Sequence, residues 1–211
     1  METLSFDLTL IKRKIFLKRN RIIKNKNTMQ DILNKWNIKL NYNMLLSMWN
    51  EPQRHYHNQT HLANLVSDIN ESKNNYSQKE YEKLMLTALF HDIIYDPIKN
   101  DNEERSAEFF EKACQDNNED IQDIKRAILD TKEHKGINET AIIFNKFDMS
   151  IVESNYDDLL QWEDGIYNEY KFYGNKNYKK GRLNFINSII DKYPNNSENL
   201  LKLSDYIKTN Y

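Results

Sequence analysis

Histidine is scarce in this chain, and most of its histidines fall in two short segments. Three of the five lie within the segment Arg54-His55-Tyr56-His57-Asn58-Gln59-Thr60-His61. A fourth is followed directly by an acid, in His91-Asp92, at the end of an apolar stretch. Burying an aspartate beside a histidine is costly unless both groups are paired or bound to a metal. Imidazole and carboxylate groups together suit Mn²⁺, Fe²⁺, Co²⁺, Ni²⁺ or Zn²⁺, so the sequence predicts a divalent cation site.

A structural interpretation of the same residues stays open at this point. His57 and His61 are four residues apart and share a face if a helix has begun at Asn58, but such pairs are common in helices. His61 could instead bond a backbone carbonyl, and His91-Asp92 could close a helix end. Spacing alone therefore does not separate metal binding from a structural role.

The elements that must position these residues are predicted to be helices. The chain has only 4 glycines and 3 prolines among 211 residues, too few for a protein built from strands and tight turns. Apolar residues recur at helical spacing from Thr28 onward, and Asp101 with Glu104 predicts a capped helix start. The sequence therefore predicts an all-α, single-domain bundle. Its third helix covers roughly residues 58–72, and its last four cover residues 138–152, 155–173, 177–192 and 197–209.

Composition excludes several classes of protein. Thirty basic and 32 acidic residues give a net charge of −2, which does not favour a globally basic nucleic-acid-binding protein. The single cysteine, Cys114, excludes an intramolecular disulfide framework and a cysteine-rich zinc site, and it favours a reducing, cytoplasmic location. No apolar run approaches the ~20 residues that span a bilayer.

Residues 1–28 differ in charge from the rest of the chain. They hold eight basic residues and two acidic ones, which predicts a basic N-terminal arm or extension before a helical domain over residues 29–211. A basic arm could contact nucleic acid or an anionic membrane. The other interpretations are a loosely ordered arm, or an upstream extension with the functional start near Met29.

Several segments, in order, resemble the HD superfamily of metal-dependent phosphohydrolases, and in particular a branch of small bacterial members. These segments cover roughly residues 30–193 and are Pro52 to Asn58 with His61, His91 to Pro97, Asn102 to Ala107, Thr131 to His134, Phe144 to Ile151, Glu169-Tyr170 and Gly181-Arg182. The resemblance implies an HD-type helical bundle whose metal ligands are His61, His91, Asp92 and Asp148. It also implies that His57 protonates the leaving oxygen and that His134 contacts phosphate or a second metal.

Two positions depart from the pattern of that branch. The branch usually has the motif Asp-x-Asp, which is Lys146-Phe147-Asp148 in this chain. The second aspartate, at the ligand position, is retained, but a lysine replaces the first and reverses its charge. Tyr167 stands where the branch usually carries an arginine, so any substrate contact made by that arginine is missing from this chain.

The resemblance implies an enzyme that hydrolyses a phosphate ester of a nucleotide or another small phosphorylated metabolite. Its cofactor would be one of the divalent ions named above, or Mg²⁺. Asp92 would bind the metal and orient the attacking water, and we assign proton transfer to His57, Asp96 and Glu103. Phosphate binding is assigned to the cationic groups near these motifs and to one histidine, namely Arg54, Lys132, Arg182 and His134, with Arg105 as a further candidate.

Each of these roles has a plain alternative. The cationic side chains could form surface salt bridges, and Glu103 could complement a helix dipole rather than move a proton. Tyr95, directly beyond His91-Asp92, is expected to line the pocket and stack on a base. The sequence leaves both a monomer and a homo-oligomer open.

Two other functions compete with hydrolysis. The first is a catalytically silent regulatory domain that retains the metal. The second is a di-iron oxygenase on the same scaffold, which needs at least two more histidines between His91-Asp92 and Asp148. Only His134 occurs in that interval.

Overall fold

The computed structural model describes residues 28–211 and contains ten α-helices within that range. In chain order they are α1 (residues 28–35), α2 (Tyr42–Met48), α3 (Gln59–Glu71), α4 (Gln78–Phe90), α5 (Asn102–Ala113), α6 (Glu119–Asp130), α7 (Glu139–Asp148), α8 (Tyr156–Tyr170), α9 (Asn175–Ile190) and α10 (Ser197–Asn210). Residues 28–211 contain no β-strand, and a single bridge pairs Ile38 with Cys114. The predicted all-α bundle is confirmed for this part of the chain.

Asparagine side chains start five of these helices. The side chains of Asn41, Asn58, Asn118, Asn138 and Asn155 each accept a backbone N–H bond from the first turn of α2, α3, α6, α7 and α8, respectively. Such a bond satisfies one of the N–H groups that a helix start leaves unpaired. The start of α3, the helix that carries His61, is therefore set by a local cap.

The N-terminal ends of α4 and α5 are capped differently. At α4, the Ser77 hydroxyl accepts from the Glu80 N–H while the Glu80 carboxylate accepts from the Ser77 N–H, a complete capping box. The cap predicted at Asp101 is wrong, because its side chain makes no capping bond to α5. Asn102 instead fastens the preceding loop, since its side chain accepts from the Asp96 N–H at 3.0 Å and donates to the Asp96 carbonyl at 2.9 Å.

The last four helices follow the predicted ranges, with one shortening that affects the site. The α7 helix ends at Asp148, and Met149–Glu153 continue as a 3₁₀ segment instead of the predicted helix to residue 152. Gly174 lies between the 3₁₀ turn after α8 and the start of α9, and its φ of 77° is a conformation that favours glycine. Because α7 stops at Asp148, this carboxylate lies at the C-terminal end of its helix.

Two hydrophobic clusters form the core, and burial of their side chains is the main stabilising contribution to the fold. The first cluster draws on α1 to α7, with fully buried members that include Leu33, Trp49, Phe90, Phe110 and Phe144. The second draws on the 3₁₀ segment after α7 and on α8, α9 and α10, with members that include Leu159, Trp162, Ile186 and Leu203. The histidine segments lie where these clusters meet, because Tyr56 packs on the second cluster while Leu62 belongs to the first.

The predicted arm over residues 1–28 lies outside the described residues, apart from Thr28. Met29, at the predicted start of the helical domain, is 1% exposed and belongs to the first cluster. Among residues 28–211, no helix combines the length and the apolar character that crossing a bilayer requires.

Candidate metal centre

Three predicted metal ligands meet inside the protein, although each comes from a different helix. His61 lies in the first turn of α3, His91 follows the last residue of α4, and Asp148 ends α7. Their ligand atoms all lie within 4.8 Å of one another. The Oδ1 atom of Asp148 is 3.1 Å from His61 Nε2 and 3.6 Å from His91 Nε2. This group could hold a metal ion.

The separations and the hydrogen bonds of this group fit a shared cation. Ligand atoms about 2.0–2.2 Å from one ion lie about 2.8–3.6 Å apart in octahedral or tetrahedral coordination. His91 Nδ1 donates to the Ala88 carbonyl at 3.0 Å, so in its neutral, metal-binding form the ring presents the lone pair of Nε2 to the centre. That Nε2 atom is buried and makes no well-directed hydrogen bond among residues 28–211, although Asp92 Oδ2 lies 3.2 Å away. A divalent cation would supply the missing partner.

Burial and the neighbouring carboxylates act in opposite directions on the two histidines. Burial alone would lower the pKa of His91, but the carboxylates of Asp92 and Asp148 raise it to about 9. At His61 burial prevails and lowers the pKa, which keeps the ring in the neutral form that binds metals. Burial would raise the pKa of Asp148, yet His91, His134 and His61 hold it well below its usual 3.8. The centre is therefore a buried anionic site that positive charge stabilises.

Aromatic rings surround the two candidate histidine ligands. The Trp49 ring centroid lies 5.4 Å from that of His91 and 6.4 Å from that of His61, and Phe144 lies 5.2 Å from His91. The indole N–H of Trp49 donates to the Leu89 carbonyl at 3.0 Å, which fixes the ring. A shell of this kind lowers the local dielectric and strengthens electrostatic interactions within the centre.

Asp92 and His134 flank the three-residue group. Asp92 Oδ2 lies 3.2 Å from His91 Nε2, but Asp92 is not one of the three residues that share mutual distances within 4.8 Å. Its assignment as the fourth ligand stays a prediction. His134 Nε2 lies 3.0 Å from Asp148 Oδ2, so this ring contacts the candidate ligand carboxylate directly. The φ of His134 is 51°, a left-handed conformation that costs about 1–2 kcal/mol outside glycine.

Glu169 of α8 holds the His57 segment by both of its carboxylate oxygens. Its Oε1 accepts the backbone N–H groups of His55, Tyr56 and His57 at 2.7, 2.7 and 2.9 Å. Its Oε2 lies 2.7 Å from His57 Nδ1 and accepts from the Tyr95 hydroxyl at 2.7 Å. Because a carboxylate only accepts, His57 carries a proton on Nδ1, and Nε2 is the nitrogen available to the cavity that this residue lines.

The charges of Glu169 and His57 stabilise each other. Burial would lower the pKa of His57, but Glu169 raises it above the ordinary 6.5. Burial would raise the pKa of Glu169, but His57 and the Tyr95 hydroxyl lower it to about 2. A histidine paired in this way keeps its proton to higher pH than an ordinary histidine, which suits a general acid.

Glu169 was not among the predicted site residues, although α8 carries a signal that points to it. The buried face of this helix is formed by Leu159, Trp162, Glu163, Ile166 and Glu169. Two carboxylates on an otherwise apolar stripe must be paired, because burying an unpaired charge is very costly. Helical spacing could therefore have identified Glu163 and Glu169 as partners of buried donors.

Arg54 does not line the cavity, which corrects the phosphate-binding role predicted for it. Its side chain is fully buried, and Nε donates to Glu51 Oε2 at 3.0 Å. Nη1 donates to the carbonyls of His57 at 3.0 Å and Asp92 at 2.9 Å, and Nη2 donates to that of Ile93 at 3.1 Å. Arg54 therefore joins the His57 segment to the loop after α4 and positions both.

A cavity of about 640 Å³ brings most of the other predicted site residues together. The predicted residues that line it are His57, His61, His91, Asp92, Glu103, Lys132, His134, Asp148 and Arg182. Lys132 Nζ donates to Glu104 Oε1 at 2.7 Å and to the Asn100 carbonyl at 2.5 Å, which compensates part of its charge. Burial, with a contribution from Asp92, raises the pKa of Glu103 and so favours its protonated form.

Asp96 and Arg105 are absent from the described residues that line the cavity. Asp96 Oδ1 accepts the Ile98 N–H at 3.0 Å and shapes the loop before α5, while Arg105 is exposed on α5. Their positions do not fit the predicted proton-transfer and phosphate-binding roles. Tyr95 does line the cavity, but its ring packs on the His57 imidazole with a centroid distance of 4.6 Å. That ring therefore supports His57, where stacking on a base was predicted.

Comparison of this chain with protein-family models, with curated proteins and with solved structures finds no match. Membership of the HD superfamily therefore stays a prediction from the sequence motifs. The function must be argued from the geometry of the cavity and its side chains.

Proposed function

We propose that this chain is a metal-dependent phosphohydrolase acting on a phosphate ester of a nucleotide or another small phosphorylated metabolite. One structural observation is the main support for this proposal. The His61–His91–Asp148 group and the carboxylate-held His57 line the same cavity, and the ring centroids of His57 and His61 are 6.0 Å apart. Hydrolysis of a phosphate ester needs a cation and a proton donor on one phosphoryl group, and this separation suits both.

Each of these side chains has its own role in the proposed reaction. His61, His91 and Asp148 would hold a divalent cation, with Asp92 as the fourth predicted ligand. When bound, the cation supplies Lewis acidity to the phosphoryl group and lowers the pKa of a coordinated water. His57, which Glu169 keeps protonated to higher pH than an ordinary histidine, donates a proton to the leaving oxygen.

Lys132 and His134 account for attraction of the phosphate. Both line the cavity, and His134 also contacts the Asp148 carboxylate. A cationic group beside a low-dielectric cavity raises the local concentration of an anionic substrate. Glu103, on the same wall, is the second candidate for proton transfer because burial raises its pKa.

The test measures metal content and phosphate release on the purified full-length chain. The panel contains nucleoside phosphates and sugar phosphates, each assayed with Mg²⁺, Mn²⁺, Fe²⁺, Co²⁺, Ni²⁺ and Zn²⁺. We expect phosphate release with at least one ion, loss of release in Asp148→Asn, and unchanged release in Glu198→Gln, which alters an exposed glutamate of α10.

Three results would contradict the proposal. Bound metal without turnover for any ion would favour the silent regulatory domain. Two ions per chain with oxygen consumption would favour the di-iron oxygenase. Phosphate release that persists in Asp148→Asn would show that hydrolysis does not depend on the candidate metal centre.

A further inference from the structure

The wall of the cavity formed by α8 and α9 carries a cationic side chain that the proposed hydrolysis does not use. Arg182 of α9 is 8% exposed and lines the cavity. Its Nε donates to Glu163 Oε2 at 2.7 Å, and the fully buried Glu163 side chain also accepts from the Tyr178 hydroxyl at 2.5 Å. These bonds hold the guanidinium at a defined place on the wall.

One end of this guanidinium lacks an acceptor. Arg182 Nη2 is buried and has no hydrogen-bond partner among residues 28–211. An N–H group that is shielded from water and has no acceptor is destabilising, and few occur in folded proteins. The guanidinium carbon lies 4.0 Å from the Trp162 ring centroid and 5.0 Å from that of Phe185, so stacking keeps this plane in position.

The charge of Arg182 is already compensated, which decides the kind of acceptor that fits. Because Arg182 and Glu163 form an ion pair at 2.7 Å, a phosphate placed here would gain much less than at an unpaired arginine. It would also add a negative charge to a buried wall that carries Glu163. An uncharged acceptor, such as a carbonyl oxygen, satisfies the donor without that cost. We therefore assign Arg182 a partner other than the predicted phosphate.

The surroundings of Arg182 fit a flat aromatic group. Trp162 and Phe185, which contact the guanidinium, line the cavity together with Ile166 and Tyr170 of α8. The cavity volume of about 640 Å³ is far larger than a phosphate needs and is typical of sites that enclose a small organic molecule. Resting on the proposed function, we infer that this wall is a subsite for a nucleobase-like heteroaromatic ring whose carbonyl oxygen accepts from Arg182.

Nucleosides test this subsite separately from hydrolysis, because they carry no phosphate. The metal-free, full-length chain is titrated with inosine, which has a ring carbonyl, with purine riboside, which lacks it, and with ribose, which lacks the ring. We expect inosine to bind about ten- to hundredfold more tightly than purine riboside, the effect of one hydrogen bond from a charged donor, and ribose to bind most weakly. Equal affinities, or no binding of inosine at millimolar concentration, would overturn the inference.

Matched variants identify the residue responsible. Arg182→Lys keeps a positive charge beside Glu163 but lacks the Nη donors, so it should abolish the preference for inosine over purine riboside. Trp162→Phe should weaken the binding of both nucleosides equally. Arg126→Lys, at a half-buried arginine of α6 that does not line the cavity, should change the binding of neither. Circular dichroism checks that each variant is folded. A preference for inosine that persists in Arg182→Lys would overturn the assignment.

The two proposals fail in distinguishable ways. Phosphate release without any preference among the nucleosides would refute the subsite and leave the hydrolase proposal standing. A preference for inosine in a protein that releases no phosphate with any ion would refute the hydrolase and leave the subsite standing.

Discussion

Replacement of Glu169 by glutamine tests the site most directly, because this one carboxylate holds both the backbone and the ring of His57. In Glu169→Gln, the remaining oxygen can still accept the three backbone N–H groups. The new amide nitrogen, however, donates toward the places where His57 Nδ1 and the Tyr95 hydroxyl also donate. Two donors then face each other, so His57 must release its Nδ1 proton or turn away.

The pKa of Glu169 gives the size of the expected effect. Burial would raise it, but His57 and the Tyr95 hydroxyl lower it from 4.5 to about 2. This difference corresponds to about 3 kcal/mol in favour of the ionised carboxylate in the folded state, at about 1.4 kcal/mol for each pH unit between the two values. We therefore expect Glu169→Gln to lower the free energy of unfolding by about 2–4 kcal/mol at neutral pH.

The same pKa fixes how the effect depends on pH. Because the folded-state pKa lies below the unfolded value, the stabilisation by Glu169 is present above about pH 4.5 and is lost as the pH falls through about 2. Glutamine does not titrate. The difference in unfolding free energy between the wild-type chain and Glu169→Gln should therefore shrink across this acidic range.

Urea denaturation followed by circular dichroism measures the stability, and NMR titration measures the pKa of His57. Glu198→Gln is the matched control, because Glu198 pairs with Lys202 on the exposed face of α10 and should contribute little. A loss in Glu169→Gln no larger than in Glu198→Gln would refute the reasoning. So would a His57 pKa that stays raised in the variant.

Asp148→Asn removes the anionic ligand, so metal affinity measured by calorimetry should fall by more than about 100-fold, and unchanged uptake would contradict the assignment. His57→Asn should keep the metal and lower kcat by about 10²–10⁴-fold, whereas loss of the metal would make His57 a ligand. Gly165→Ala places a Cβ 3.0 Å from Tyr56 Cβ and 3.4 Å from its hydrogen-bonded backbone, so thermal denaturation should show a loss of about 1 kcal/mol. Gly181→Ala, which meets nothing within 4 Å in α9, should instead gain about 0.5–1 kcal/mol, and equal effects of the two alanines would show that the contact is harmless.

Helix positions could be predicted because their signals are local. The caps at Asn58 and Ser77 and the left-handed Gly174 act within a few residues of their own position. The two errors have tertiary causes. The side chain of Asn102 bonds the preceding loop, while the predicted cap at Asp101 makes no bond, and α7 gives way to a 3₁₀ segment where Asp148 meets His61 and His91.

The site was predictable to the extent that its residues belong to sequence motifs. His61, His91 and Asp148 were expected to converge from their resemblance to a known ligand set. Glu169 belongs to one of these motifs, and helical spacing places it on the buried face of α8, but its contact with His57 across 112 residues of sequence follows only from the tertiary structure. The Nη donors of Arg54 bond backbone carbonyls, which every residue type has, so the types of its partner residues do not reveal this role.

The two hydrophobic clusters divide the site unequally. The candidate ligands His61, His91 and Asp148 all lie on helices of the first cluster, whereas Glu169 and Arg182 lie on helices of the second. In the proposed hydrolase, the first cluster would therefore hold the cation, while the second would support the proton donor and form the facing wall of the cavity. Substitutions in the core of the second cluster are then expected to reduce turnover more than they reduce metal affinity.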